Sequence, residues 1–491
     1  MRQRLIRNGV FATSQVIVTT AAMFIVYRMV THRFGLQLLG VWSSALAVSS
    51  LVSLGDCGLS DIMVRQVAEA LGREEWHEAR ALHSALTRLS VFGLAAAAGI
   101  AAPLIYAILQ PAVPASLSVA FPQIVTGAVC VSVMTNMTTA QFGVLEAFGM
   151  YGTRIALALG SALIMIAVSW FCVRANRPDV IAVIFISGSL WSSVAAYAIG
   201  RGLLSRRSRL KYRIPLPQLV RIFRIAVAIR MAGLLNLGLD PITRVALARY
   251  AGVEAAGLYE IAYRVIFQLR AALVSGLQTI VPYLSRKLRG SGPQSKATVV
   301  AAAGIAISVG IPVFTVAVLG MPALSIVVTA RSSPAIGSYA AILAVAWMIN
   351  VASAPGYFAN IVEGRVHRNW ISQGVMCTVN AGLAPLLGFL WGAIGVCFGA
   401  ASAVAAGSLA NLAGRGQETW ELLHRLSRGD YLALFGGAAA ATTVNLAWHA
   451  GMAGTSLFTL EVAVTLAYLL TIAPALIMRV RSLSLARGQA S

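Results

Sequence analysis

Charge is scarce in this chain, and acid is scarcer still. Of 491 residues 11% are charged, and 38 Lys and Arg stand against 16 Asp and Glu. A soluble domain of ordinary composition is about 25% charged, so a soluble globular class is excluded. The five cysteines (Cys57, Cys130, Cys172, Cys377 and Cys397) are isolated, with no CxxC and no Cys/His cluster. That excludes a disulfide framework and a zinc site. No Walker A motif is present, so the chain does not hydrolyse ATP. It also lacks HExxH, Gly-x-Ser-x-Gly and a glycosidase carboxylate pair, and its six histidines are scattered. No long polar stretch leaves room for a soluble catalytic domain. These absences point to a protein that is not an enzyme and takes no cofactor or metal.

What the chain has in quantity is apolar sequence, 58% of its residues. Runs near the ~20 residues that cross a ~30 Å hydrocarbon core recur from end to end. We place them at 9–31, 39–64, 82–109, 118–146, 153–174, 179–200, 222–248, 257–284, 298–319, 336–361, 370–390, 392–412, 431–449 and 457–478. Alternating ~10-residue segments, the mark of a barrel, do not occur. The expected fold is therefore an all-α polytopic membrane protein of ~14 transmembrane helices. The loop arginines and lysines fall mostly on one side of these spans: Arg65, Arg73 and Arg80 after the second, Arg201 to Arg213 after the sixth, Arg286 to Lys296 after the eighth, against Arg174, Arg177 and Arg331 on the other. Charge spread between apolar spans excludes a nucleic-acid partner. The positive-inside rule puts both termini in the cytoplasm. The first apolar run is long enough to span and shows no signal-peptide cleavage pattern.

The punctuation repeats. Arg28, Arg33, Gly35, Gly40 and Trp42 match Arg244, Arg249, Gly252, Gly257 and Tyr259. Gly58 and Gly72 match Gly276 and Gly290, and Phe142 and Glu146 match Phe358 and Glu363, all at offsets of 216 to 218. A register held that long marks a duplicated unit. With six spans per copy the second copy keeps the orientation of the first, so two six-helix lobes form a parallel pseudo-two-fold repeat with a substrate path between them. The expected domains are 1–213, 214–428 and an additional C-terminal helical hairpin, 429–491.

Ionisable groups inside spans cost roughly 2.5–3.5 kcal/mol each on insertion scales, so they face a cavity or a partner. Ser49, Ser53, Asp56 and Ser60 form a polar stripe in which Asp56 either caps a helix break or serves as a cavity carboxylate for a proton or cation. Arg230 lies ~15 Å along the seventh helix, too deep to snorkel out entirely. Asp240 precedes Pro241, a kink signal, and has Arg244 one turn on. Glu260 and Arg264 have ion-pair spacing, with Arg270 nearby, and Arg28 is late in the first span. Asn350, Tyr357 and Asn360 in the tenth span, and Asn136 and Glu146 in the fourth, read as walls of a hydrated cavity or as interhelical hydrogen-bond partners.

Arg33-Phe-Gly35, Gly40-Val-Trp42 and Leu54-Gly-Asp-Cys-Gly-Leu59 with Arg65 resemble the N-terminal pattern of polysaccharide-biosynthesis flippases. These are the O-antigen and exopolysaccharide, Wzx-type members of the multidrug/oligosaccharidyl-lipid/polysaccharide exporter superfamily. Gly257-Leu-Tyr-Glu-Ile-Ala-Tyr263 and Pro282-Tyr-Leu-Ser285 look like the matching second-half segment. The resemblance implies a monomer in the inner membrane that moves polyprenyl-diphosphate-linked oligosaccharide to the outer leaflet by alternating access, alongside a polysaccharide polymerase and a chain-length regulator. Arginine matches phosphate geometry, so Arg230, Arg264, Arg28 and Arg270 become the diphosphate candidates. Asn136, Asn350, Tyr357 and Asn360 become the polar cavity, and Asp56, Asp240 and Glu146 the ion-coupling candidates. A multidrug or organic-cation antiporter and a lipid II-type flippase are the alternatives.

Overall fold

A computed structural model describes the backbone of residues 2–488, apart from 176, 208–213, 235–237, 279–292 and 425. Side chains are described over the same residues except 2–17, 61, 228–234, 278, 293–295, 417, 423 and 475–488. Every regular element among the described residues is helical, and nine segments are long and apolar enough to cross a bilayer. The protein is an all-α polytopic membrane protein. Outward-facing apolar side chains such as Phe92, Ile100, Phe171 and Phe389 are more than 70% exposed, as expected where the surrounding solvent is lipid.

Two compact units divide the chain, Met1–Gly257 and Leu258–Ser491. The first holds α1 (Arg2–Ser49), a 3-10 segment (Ser50–Asp56), α2 (Leu59–Gly72), α3 (Trp76–Leu109), α4 (Phe121–Ala147), α5 (Tyr151–Cys172), α6 (Val180–Arg207), α7 (Leu216–Leu234) and α8 (Leu239–Tyr250). By packing it extends past the expected boundary at 213, because α7 lies against α2 and α8 against α1. Ile222 and Ala226 of α7 are buried in one core with Ile62, Leu82 and Leu86.

Helix α9 (Val253–Gln278) leads into the second unit, which continues with α10 (Pro293–Leu319), α11 (Met321–Thr329), α12 (Pro334–Val362), α13 (Val366–Ala413), α14 (Gly416–His424), α15 (Arg428–His449) and α16 (Gly454–Gly488). The terminal hairpin α15–α16 packs on α10. A capping box at Ser427 and Asp430 starts α15, and Ser308 of α10 donates to Asp430 Oδ1.

Four expected spans are not simple separate helices. The second, 39–64, is interrupted: Cys57 (φ 49°) and Gly58 (φ 79°) are left-handed, so the serine stripe runs over a 3-10 segment and a new helix. The seventh, 222–248, divides into α7 and α8, and Asp240-Pro241 lies in the first turn of α8. Proline is tolerated in a first turn, where its fixed φ suits the helix, and residues 235–237 before it lie outside the described residues. The eleventh and twelfth form one hairpin that turns at Gly392 (φ 61°, ψ −139°). The short helices α11 and α14 were not anticipated.

The sequence repeat has a backbone counterpart. Gly35 and Gly252 share φ values of 81° and 84°, and after Glu146 and Glu363 the chain turns at Gly149 (φ 71°) and Gly364 (φ 73°). Only glycine adopts such turns without strain. Gly290 and Pro282 to Ser285 lie outside the described residues.

Candidate anion site in the second unit

Residues four apart share a helix face, and on α9 Tyr259, Tyr263 and Phe267 stack in sequence. Their centroids are 5.6 and 5.3 Å apart, with interplanar angles of 16° and 18°. Trp347 of α12 meets Tyr263 and Phe267 edge-on at 6.4 and 5.4 Å. Arg270 closes this aromatic ladder. Its guanidinium lies 5.8 Å from the Phe267 centroid and 5.3 Å from that of Trp347. Nε donates to Asn350 Oδ1 at 3.0 Å, and Asn350 Nδ2 donates to Ser408 Oγ at 3.0 Å. The phenols of Tyr263 and Tyr357 are within electrostatic reach. Arg270 is thus fixed by two rings and one amide, while its two terminal nitrogens have no protein partner among the described residues. Trp347 Nε1 is also buried without a hydrogen-bond partner among them. Donors with no carboxylate in ion-pair range among the described residues are suited to an anionic, acceptor-rich group.

Three expected residues therefore come together: Arg270, Asn350 and Tyr357. Others do not. Arg264 donates from Nε (3.1 Å) and Nη2 (2.8 Å) to Oε1 of Glu260, which is 2% exposed. The ion-pair reading holds for it, because a buried carboxylate needs a counter-charge. Arg28, on α1, is solvent- or lipid-exposed, and the side chain of Arg230 lies outside the described residues. Asn136 donates 2.8 Å to Ser132 O of its own helix, so it contributes to α4 itself. Asp240 is half-buried in α8. Glu146, an ion-coupling candidate, is ion-paired with Arg154, whose guanidinium lies 5.6 Å from the Phe142 ring.

Asn360 requires a second correction. It is fully buried and committed in every direction, donating to Asn369 Oδ1 (2.9 Å) and Asn411 Oδ1 (3.0 Å) and accepting from Arg415 Nη1 (2.9 Å). No atom remains for a cavity, because packing of α12 against both arms of α13 consumes its polar groups. Arg415, which the sequence did not single out, is the hub. It makes two bonds to Glu418 at 2.6 and 3.0 Å and two to Glu363 at 3.2 and 2.9 Å.

Asp56 serves the helix break. It is 3% exposed and accepts from Ser60 N (3.0 Å), Ser60 Oγ (2.9 Å) and Ser90 Oγ of α3. Its partners are hydroxyls and one amide, with no cation among the described residues. Asp56→Ala is expected to cost the first unit about 1–3 kcal/mol by orphaning buried donors, whereas Asp56→Asn keeps an acceptor and costs less. Unfolding in mixed micelles measures the difference, and equal losses would refute the capping role. A second buried pair also escaped the sequence reading: His83 Nε2 lies 2.7 Å from Gln141 Oε1, with its ring 5.6 Å from Tyr197. Among the described residues no three His, Cys, Asp or Glu side chains converge on a metal position.

No protein-family model and no curated protein matches this chain. Solved structures do. "Lipid II flippase MurJ, inward closed conformation" superposes with a TM-score of 0.60 at 12% identity, covering 96% of this chain and 100% of that one. An inward-facing multidrug resistance MATE family transporter of the MOP superfamily gives 0.62 at 13% identity over 84% and 100%. The fold is that of MurJ and the MATE transporters. The MATE multidrug transporter DinF-BH gives 0.57 at 15% over 86% and 97%. At such identities the likeness is one of fold.

Proposed function

We propose that this protein is a transporter of the MOP superfamily, and specifically a flippase for polyprenyl-diphosphate-linked oligosaccharides. It would act in a bacterial inner membrane with both termini cytoplasmic, moving its substrate from the cytoplasmic to the outer leaflet by alternating access. The observation that carries this reading is Arg270: a half-buried cation fixed by Phe267, Trp347 and Asn350, with no partner for either terminal nitrogen among the described residues. An organic cation is repelled by the guanidinium, whereas a diphosphate accepts from its nitrogens. The tyrosines and Asn350 around it suit sugar hydroxyls and rings.

The test is flipping of a fluorescent lipid-linked oligosaccharide in proteoliposomes. A charge-assisted hydrogen bond is worth about 1.5–3 kcal/mol, so Arg270→Gln is expected to slow flipping roughly 10- to 100-fold. Unchanged flipping in Arg270→Gln, or export of an organic cation with no glycolipid flipping, overturns the proposal. Lipid II as the preferred substrate would keep the anion site and change the glycan. We propose that Asp56, besides capping the helix break, is the ion-coupling carboxylate, since it has no cationic partner among the described residues and Glu146 is paired. Loss of the response to imposed ion gradients in Asp56→Asn, with basal flipping retained, is the expected result.

A further inference from the structure

Glu461 is an acidic side chain inside an apolar span, and no element of the proposed substrate site involves it. It lies on α16, in the 21-residue apolar stretch Gly454–Pro474, and is 7% exposed. Its carboxyl group lies beside Gly320, within electrostatic reach of the backbone N–H of Ala323 in the first turn of α11. Its Oε2 atom is buried with no hydrogen-bond partner among the described residues.

Among the described residues, the groups facing it offer no counter-charge. Helix α11 carries no ionisable side chain. On α10 the one charge is Lys296, in the first turn, whereas Glu461 lies beside Gly320, just past the other end of that helix. On α15, Arg428 and Asp430 are at the far end of the hairpin, with Asp430 held by Ser308 and Ser427. His449, near the hairpin turn, is 3.0 Å from Ser338, and Arg331, after α11, is exposed. Along α16 itself Tyr468 donates to Ala433 O.

A buried carboxylate with one bare oxygen and no cation is far costlier than the neutral acid. A proton removes that charge and leaves the carbonyl oxygen to accept from Ala323. We propose that Glu461 is a proton-binding site in the terminal hairpin, occupied while α16 is seated on α11, and that loss of the proton unseats this contact. Raising the pH would then loosen the N-terminal turn of α11 while the capping box of α15 stays closed. The ligand is the proton alone, and the inference stands independently of the substrate.

The experiment uses the full-length protein in lipid nanodiscs. Infrared difference spectra across a pH titration should show a protonated-carboxyl band that disappears at high pH and is absent from Glu461→Gln. Amide exchange at Ala323 should accelerate with pH beyond the intrinsic chemical rate in the wild type. In Glu461→Gln, which stays neutral and keeps an acceptor, that excess should vanish. A wild-type band identical to that of Glu461→Gln, or the same excess exchange in both proteins, overturns the proposal. Because Glu461→Gln is nearly isosteric, the comparison does not depend on a variant that removes the contact.

Discussion

Arg415→Ala is expected to destabilise the second unit by about 3–5 kcal/mol, the cost of removing one member of a buried charge network. The guanidinium has five N–H donors, and the five bonds it makes to Glu418, Glu363 and Asn360 use that whole set. Removing it leaves two carboxylates facing each other where α12, α13 and α14 meet. The loss then spreads, because Asn360 also fixes Asn369 and Asn411, and Asn411 donates to Ser353 O. Burial works against the charge on Arg415, but Glu418 and Glu363 outweigh it and raise its pKa above the ordinary arginine value. A cation so raised contributes at every pH below its unfolded value and fails only as pH rises through the folded one. No alkaline loss from this group is therefore expected in the range where the protein is handled. Unfolding in mixed micelles measures the loss. Arg415→Met combined with Glu363→Gln and Glu418→Gln should recover much of it, because no uncompensated charge then remains. If Arg415→Ala melts like the wild type, the network is not a structural hub.

The helical class and the repeat were legible in sequence because both are written in one dimension: apolar length for the spans, repeated spacing of glycines for the turns. Gly35 and Gly252 were visible as a pair before their shared positive φ was. The partners of the polar residues were not legible. Arg264 and Arg270 looked alike, and what separates them is Glu260 one turn from the first and an aromatic ladder beneath the second. The ladder itself was within reach, since Tyr259, Tyr263 and Phe267 recur at helical spacing. Trp347 and Asn350, however, arrive from another helix some 80 residues away. Asn360 failed as a cavity residue for the same reason: an asparagine that glues and one that lines share a sequence pattern. Arg415 and Glu461 stayed hidden because one sits in a loop rich in arginine and the other near the start of a span, where a carboxylate normally reaches water.

Gly40→Val is expected to be the most damaging substitution in the first unit, and the repeat shows why. Gly40 and its counterpart Gly257 lie backbone to backbone: a Cβ on Gly40 would sit 1.6 Å from Val253 O and 3.0 Å from Gly257 N. The reciprocal Cβ on Gly257 would sit 2.6 Å from Leu36 O. The obstacle on each side is main chain, which cannot rotate away as a side chain does, so the helices must separate. Overpacking ordinarily costs about 1–3 kcal/mol and relaxes by rotamer changes. With no such route here the cost should exceed about 3 kcal/mol, and in a membrane, where association depends on close packing of small residues, little else compensates. Gly72→Ala is the control from the same repeat, because nothing lies within 4 Å of its would-be Cβ and alanine favours a helix by about 1 kcal/mol over glycine. Folded yield and unfolding midpoint should fall sharply for Gly40→Val and hold or rise for Gly72→Ala. Equal behaviour would mean that the repeated glycines record ancestry alone, whereas the expected split sorts them by physical cause: contact at Gly40, backbone angle at Gly35, and neither at Gly72.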